Sequence, residues 1–378
     1  MKTFIPASFY RGGTSKALLF NRADLPEDRK LWDDIFCHVM GSPDAYGRQL
    51  DGMGGGLSSL SKVAVVAKSN QPDVDLDYTF VQIAVGQALA DFGAMCGNIA
   101  SAIGPFAVTS GIIEAADGPA SVTIRNTNTD KLFRAEFAMS DGQVVEQGDF
   151  VIAGVSGSAA PISLGFLDPA GATTGQLLPT GQAQNVLTLK SGEKVEASLI
   201  DATNPVVFVR ASDLGKTGYE HPDQLEADVA LMDKLDSIRC AGAVAMGLAT
   251  TIDNVAPANP KIAMVASPGT FTSLDGVTHS AEAINVSVRM LSMGRAHRAV
   301  TLTAGMCLAT ACNIKGSIAQ HLSGQNSDIR IGHPSGILPV SVDIEQGVSP
   351  LVRSITCFRT QRCLMTGKIP IPSELMEP

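Results

Sequence analysis

The sequence predicts an α+β fold of two pseudo-symmetric domains, each with β-strands curled around one central helix. Three observations carry this. Residues 99–113 and 299–314 are apolar on nearly every face and rich in Ala and Gly, and a helix that is hydrophobic all round must be enclosed by protein. Short β-branched or alternating runs flank both segments. The chain of 378 residues exceeds one comfortable core, so two domains are the default. Each apolar segment follows a polar, glycine-containing lead-in, "CGN" at 96–98 and "SMGRAH" at 292–297. Residue identities of the two halves hardly match, so the expected duplication is one of architecture.

In chain order, "KALLF" (16–20), "KVAVVAK" (62–68), "DYTFVQIAV" (77–85) and "SVTIRNT" (121–127) read as strands of the first half. "EDRKLWDDIFCHVMG" (27–41) reads as a helix, with acids in its first turn and an amphipathic repeat. The first central helix is expected near 97–113, where Gly97 and Asn98 suit a helix start. The Gly/Pro/Thr-rich stretch 168–182, "DPAGATTGQLLPTGQ", is the expected linker. It divides the chain into domains 1–182 and 183–378. In the second half "KVEASLI" (194–200), "PVVFVRA" (205–211), "KIAMVAS" (261–267), "AINVSVRML" (283–291) and "SITCFRT" (354–360) read as strands. Residues 223–247 hold one or two helices, and the second central helix is expected near 297–314. The last strand is free to return to the first domain.

Composition narrows the function. A net charge of -9 without a Lys/Arg cluster argues against nucleic-acid binding, which needs a basic face. No window approaches the roughly 18 apolar residues of a membrane span, and residues 1–6 lack the apolar core of a signal peptide. Seven cysteines without CxxC spacing read as reduced thiols of a cytoplasmic protein. The six histidines form no HxxxH or HExxH pattern, so no metal is expected.

Five polar, glycine-rich segments interrupt the strand pattern: "YRGGTSK" (10–16), "GSPDAYGRQLDGMGGGLSSLSK" (41–62), "CGN", "SMGRAH" and "GHPSG" (332–336). Such turns converge backbone N–H groups on one point and so hold carboxylates or phosphates, although any one of them alone reads better as a surface turn. None has nucleotide-binding spacing. A thiol at position 96 would feel the positive end of the helix dipole, which favours thiolate; its bland alternative is a buried structural cysteine. Lys62 stands at the start of a buried strand. It is either a snorkelling edge residue or, facing a dry cleft, a usable base. Together Lys62 and Cys96 suit abstraction of a proton next to a carboxylate or carbonyl, with amides stabilising the enolate.

"YRGGTSK", "GSPDAYGRQLDGMGGGLSSLSKVAVV", "VDLDYTFVQIAV", "CGNIASAIGPFAV" and "RIGHPSG" closely resemble the 2-methylaconitate cis–trans isomerase family. That family also holds methylitaconate Δ-isomerases and 4-oxalomesaconate tautomerases. The resemblance runs from about residue 9 to the C-terminus. It implies a diaminopimelate epimerase-like fold with the active site in a cleft between two related domains, at two helix N-termini. It also implies Lys62 as the base and no cofactor. Epimerases of that fold oppose two cysteines. Here Cys96 matches the first, whereas "SMGRAH" offers none, and Cys307 and Cys312 fall too late in the helix.

The expected function is therefore cofactor-free isomerisation of a small unsaturated di- or tricarboxylate, by cis–trans isomerisation, 1,3-allylic shift or tautomerisation. Lys62 and Cys96 are the expected catalytic pair. Gly13, Thr14, Ser15, Met53, Gly54, Ser61, Gly97, Asn98, Met293, Ser335 and Gly336 are the expected substrate-binding residues. Arg295 and His297 are expected to add positive charge to that set. A homodimer is compatible with this reading. The rivals are an amino-acid racemase or epimerase of the same fold and a non-catalytic carboxylate-binding protein.

Overall fold

The computed structural model describes residues 2–93, 95–256, 259–292, 294–324, 326–347 and 350–376. They form two compact units, one of residues 1–165 with 358–378 and one of residues 166–357.

The first unit runs β1 (Lys2–Gly12), β2 (Ser15–Asn21), α1 (Trp32–Met40), β3 (Lys62–Lys68), β4 (Leu76–Ile83), the short β5 (Ala90–Asp91), α2 (Gly97–Thr109), β6 (Gly118–Asn126), β7 (Lys131–Ser140) and the short β8 (Gln143–Val144). The strand β9 (Ile162–Leu167) leads out of it. β1 and β2 form a hairpin, β2 pairs parallel with β3, β3 antiparallel with β4, β4 parallel with β6 and β6 antiparallel with β7. Alternation of side chains along a strand sorts the two faces of this sheet. Val63, Val65, Val81 and Ile83 join Trp32, Ile35, Phe36 and Met40 of α1 in one core. Lys62, Ala64 and Val66 of β3, with Tyr78, Phe80 and Gln82 of β4, therefore take the opposite face. That face carries α2, whose residues from Ile99 to Ala107 are all buried. Gly104 lets the helix in, since a Cβ there would stand 2.6 Å from the Phe137 ring.

The second unit repeats the plan. It runs β10 (Asn185–Thr188), β11 (Lys194–Ala202), β12 (Asn204–Arg210), α3 (Pro222–Ala227), α4 (Val229–Ala245), β13 (Lys261–Ala266), β14 (Phe271–Thr272), β15 (Thr278–His279) and β16 (Val286–Ser292). β17 (Arg295–Ala296), α5 (Leu302–Ala311), α6 (Ile318–Ser323), β18 (Asp328–His333), β19 (Gly336–Glu345) and β20 (Leu351–Arg359) follow. β21 (Gln361–Pro372) then lies antiparallel to β1 in the first unit. Here β11 and β12 form the hairpin, β12 pairs parallel with β13, β13 antiparallel with β16, β16 parallel with β18 and β18 antiparallel with β19. Ile262, Met264 and Leu291 pack with Leu231, Leu235 and Ile238 of α4. α5 is buried from Ala304 to Ala311.

The central helices thus stand where all-round apolarity puts them, but the second begins at Leu302, not near 297. The reason is local pairing: Ser292 pairs with Arg295 and Leu291 with Ala296, so the polar lead-in turns back on β16 before the helix starts. The stretch 168–182, read as a linker, belongs to the second unit. It is tied down there by Thr173 and Thr174, whose N–H groups donate to the Asp201 carboxylate at 2.8 and 2.6 Å.

Candidate active site

In the first unit the site is built around the start of α2. Cys96 is the N-cap and makes no side-chain capping bond. The first helical hydrogen bond runs from Ala100 N–H to the Cys96 carbonyl at 3.0 Å. The N–H groups of Gly97, Asn98 and Ile99 thus lack helical acceptors, as at any helix start, and present a positive, anion-seeking end. The turn after β1 is pressed against them. A Cβ on Gly12 would stand 2.7 Å from the Asn98 carbonyl oxygen and 3.0 Å from Ile99 Cα. Gly13 has φ +51°, and its N–H donates to the Thr360 carbonyl at 2.9 Å. The Asn98 amide donates to Thr14 Oγ1 at 3.1 Å and accepts from Arg359 Nε at 3.1 Å. Gly13, Thr14, Gly97 and Asn98 are therefore brought together, with exposed Thr14 at the surface of the group and Ser15 buried behind it.

Lys62 is buried, only 8 % exposed, on the α2 face of the sheet. Its Nζ donates to Gln82 Oε1 at 2.5 Å and sits 5.0 Å from the centre of the Phe80 ring. The Gln82 amide cannot turn over, because its Nε2 donates to the Ser58 and Ser61 carbonyls, both at 3.0 Å. The ammonium group is thus held by a neutral oxygen and a ring face, with no carboxylate bonded to it among the described residues. Further along the same face of β4, Tyr78 is fully buried, and its hydroxyl is pushed well above its ordinary pKa by burial and by the neighbouring Cys96.

Gln82 is a residue that sequence reasoning missed. Nothing in "DYTFVQIAV" marks it; only the register, Lys62 opposite Gln82, gives it a role. Replacing it by leucine frees the lysine tip, and a fall in kcat of about 10- to 100-fold with a smaller change in KM is expected. Steady-state kinetics of Gln82→Leu checks this.

The side chains of several expected residues pack into the loop and the α1 core. Ser61 is fully buried, and its hydroxyl lies 2.5 Å from Gln49 Oε1 and 2.8 Å from the Leu57 carbonyl. Gln49 also accepts from Gly56 N–H at 2.9 Å and donates to Ser42 Oγ at 2.8 Å. It is the hub that shapes residues 41–61. Gly54 lies against the Gln49 amide, where a Cβ would collide with it, and Met53 packs on the α1 core, on the face away from Lys62.

In the second unit the N-cap of α5 is Thr301, whose N–H donates to Met290 Sδ at 3.4 Å. Cys307 and Cys312 lie fully buried inside the helix; burial raises the Cys307 thiol strongly and pushes Cys312 up to about 12. Neither can face a substrate as a thiolate. Arg295 is exposed and forked onto Glu226, with bonds of 3.1 and 2.9 Å, so its charge is already paired. His297 accepts from Ala299 N–H at Nδ1, at 3.0 Å. Burial, and secondarily Lys261, lowers its pKa. At neutral pH it therefore offers an Nε2–H donor, not the positive charge expected of it. Ser335 donates to the Arg298 carbonyl at 2.5 Å, and Gly336 follows at φ +133°. Met293 lies outside the described residues. Among the described residues no three His, Cys, Asp or Glu side chains are grouped to hold a metal, and no helix is long and apolar enough to cross a membrane.

The family model described as "PrpF protein" matches residues 2–372. The 3-methylitaconate isomerase of Eubacterium barkeri is 37% identical over 372 residues, covering 97% of this chain and 96% of its own. The 4-oxalomesaconate tautomerase of Pseudomonas putida is 38% identical over 376 residues, with 97% and 96% covered. A crystal structure of methylitaconate-delta-isomerase superposes with a TM-score of 0.89 at 35% identity, over 100% of this chain and 98% of that one. The architecture is the diaminopimelate epimerase-like fold.

Proposed function

The chain belongs to the PrpF family, and from that premise we propose that it isomerises a small unsaturated di- or tricarboxylate by moving one proton along an allylic system. The observation that carries this reading is the setting of Lys62: a buried lysine held by the Gln82 amide oxygen at 2.5 Å, with no carboxylate paired to it among the described residues. A lysine so placed is available to exchange a proton with substrate. Its unprotonated amine removes an allylic C–H proton, and the electron pair delocalises through the double bond into the adjacent carboxylate. The N–H groups of Gly97, Asn98 and Ile99 stabilise that charge. The resulting ammonium returns the proton to the far allylic carbon, the double bond settles one position over, and Lys62 is regenerated.

Relatives named as isomerases and a tautomerase support this reaction class. Thr301 at the second helix cap speaks against a two-thiol racemase. The free cysteines suit a reducing compartment, the cytoplasm.

Proton NMR of itaconate-, aconitate- and oxalomesaconate-type acids with the protein in D2O tests the proposal. Deuterium is expected at an allylic carbon of one of them, together with its isomer. Exchange into none of them, with inversion of an amino acid instead, would overturn it.

The same mechanism ranks two variants. Cys96→Ser keeps a small polar group at the helix cap but removes the thiol. It is expected to lower turnover about tenfold, far less than loss of Lys62. Should Cys96→Ser stop solvent exchange while Lys62→Met retains it, the thiol is the base.

A further inference from the structure

The two units share more than strand order. β3 begins "KVAVVA" and β13 begins "KIAMVA", identical at four of six positions, including the leading lysines Lys62 and Lys261. Each strand lies parallel to the second strand of its hairpin, with Ala17 opposite Lys62 and Val206 opposite Lys261. Each also lies antiparallel to the next strand, where Lys62 meets Gln82, and Lys261 lies one step beyond the pair Ile262–Leu291, opposite Ser292. The side chains repeat the register. Lys62 Nζ bonds Gln82, and Lys261 Nζ bonds Ser292 Oγ at 3.1 Å. Because Ile262 and Met264 face the α4 core, Lys261 takes the other face of its sheet, as Lys62 does.

We propose that Lys261, with Ser292 and His297, is a carboxylate-binding subsite, the internal counterpart of the Lys62 position. The proposal rests on the reading of the chain as a polycarboxylate isomerase. The donor inventory argues for an anion. Around Lys62 the fixed partner is an acceptor, the Gln82 oxygen. Lys261 donates to the Ser292 oxygen, which leaves the Ser292 O–H able to donate, and neighbouring His297 presents an Nε2–H once its Nδ1 has accepted Ala299 N–H. No carboxylate pairs with Lys261 among the described residues. Burial, joined by the charge of Arg239, lowers the Lys261 pKa. A half-buried ammonium bonded to a neutral hydroxyl, with no carboxylate paired to it among the described residues, is costly until an anion arrives, and charge-assisted hydrogen bonds to a carboxylate then supply the missing negative charge.

Trace acetylation of the intact protein, read by peptide mass spectrometry, tests this with itaconate as the probe and its uncharged dimethyl ester as control. Itaconate is expected to slow acetylation of Lys261 at least about fivefold, and the ester to leave it unchanged. In kinetics, Lys261→Met is expected to raise KM about 10- to 100-fold, more than it lowers kcat, and Lys261→Arg to recover much of the loss. Equal labelling of Lys261 with and without itaconate, or an unchanged KM in Lys261→Met, overturns the subsite. Protection by itaconate in a protein that isomerises none of the acids would sink the isomerase reading and leave the subsite standing.

Discussion

Lys62→Met is expected to lose turnover and substrate hydrogen exchange by at least about a thousandfold. A general base contributes about 10²–10⁴-fold, and in the proposed mechanism this lysine serves both the removal and the return of the proton. Methionine matches the length and apolar stem of lysine, so the packing over Phe80 persists while the titrating nitrogen is gone. The variant leaves Gln82 Oε1 without its partner, a cost of about 1–3 kcal/mol for a buried acceptor. A domain with a usual stability of about 5–15 kcal/mol remains folded. Circular dichroism together with deuterium uptake by substrate separates the two effects. A folded Lys62→Met that keeps more than about a tenth of wild-type exchange would remove the lysine from the mechanism.

The second large effect is expected from a single methyl group. Gly12→Ala places a Cβ 2.7 Å from the Asn98 carbonyl oxygen and 3.0 Å from Ile99 Cα. Both obstacles are backbone, and neither side gives easily. β1 is paired with β2 and along its full length with β21, while α2 is packed on all sides. The start of α2 must therefore move relative to the 12–15 turn by several tenths of an ångström. Misplacement of about 1 Å near reacting groups can cost about 10²-fold, so a 10- to 100-fold fall in kcat/KM is expected. Titration of the substrate's binding should show weaker affinity alongside it, because the displaced groups are the amides proposed to hold the carboxylate. Unchanged kinetics in Gly12→Ala would mean that this close approach has no part in the site.

Alone, the sequence determined the two central helices, because apolarity on all faces has one physical solution, enclosure by strands. It also determined the Cys96–Gly97–Asn98 helix start and the strand that Lys62 opens, since both follow from local propensity and period. Tertiary structure alone decided the partners. Gln82 reaches Lys62 from twenty residues away through strand register, and Gln49 shapes the 41–61 loop from within it through a buried amide that no pattern marks. Ser61 and Met53 look like site residues in a glycine-rich loop; packing turns one onto Gln49 and the other onto the α1 core. Arg295 looks like a free cation until Glu226, nearly seventy residues earlier, is folded against it. The second helix start moved from 297 to 302 because "SMGRAH" closes a hairpin with β16, a choice made by backbone pairing and not by residue type. The repeat of Lys62 in Lys261 is six letters of sequence, but it means something only once both strands share one register. Side-chain identity sets what a residue can do, and the partner that the fold brings to it decides which of those things it does.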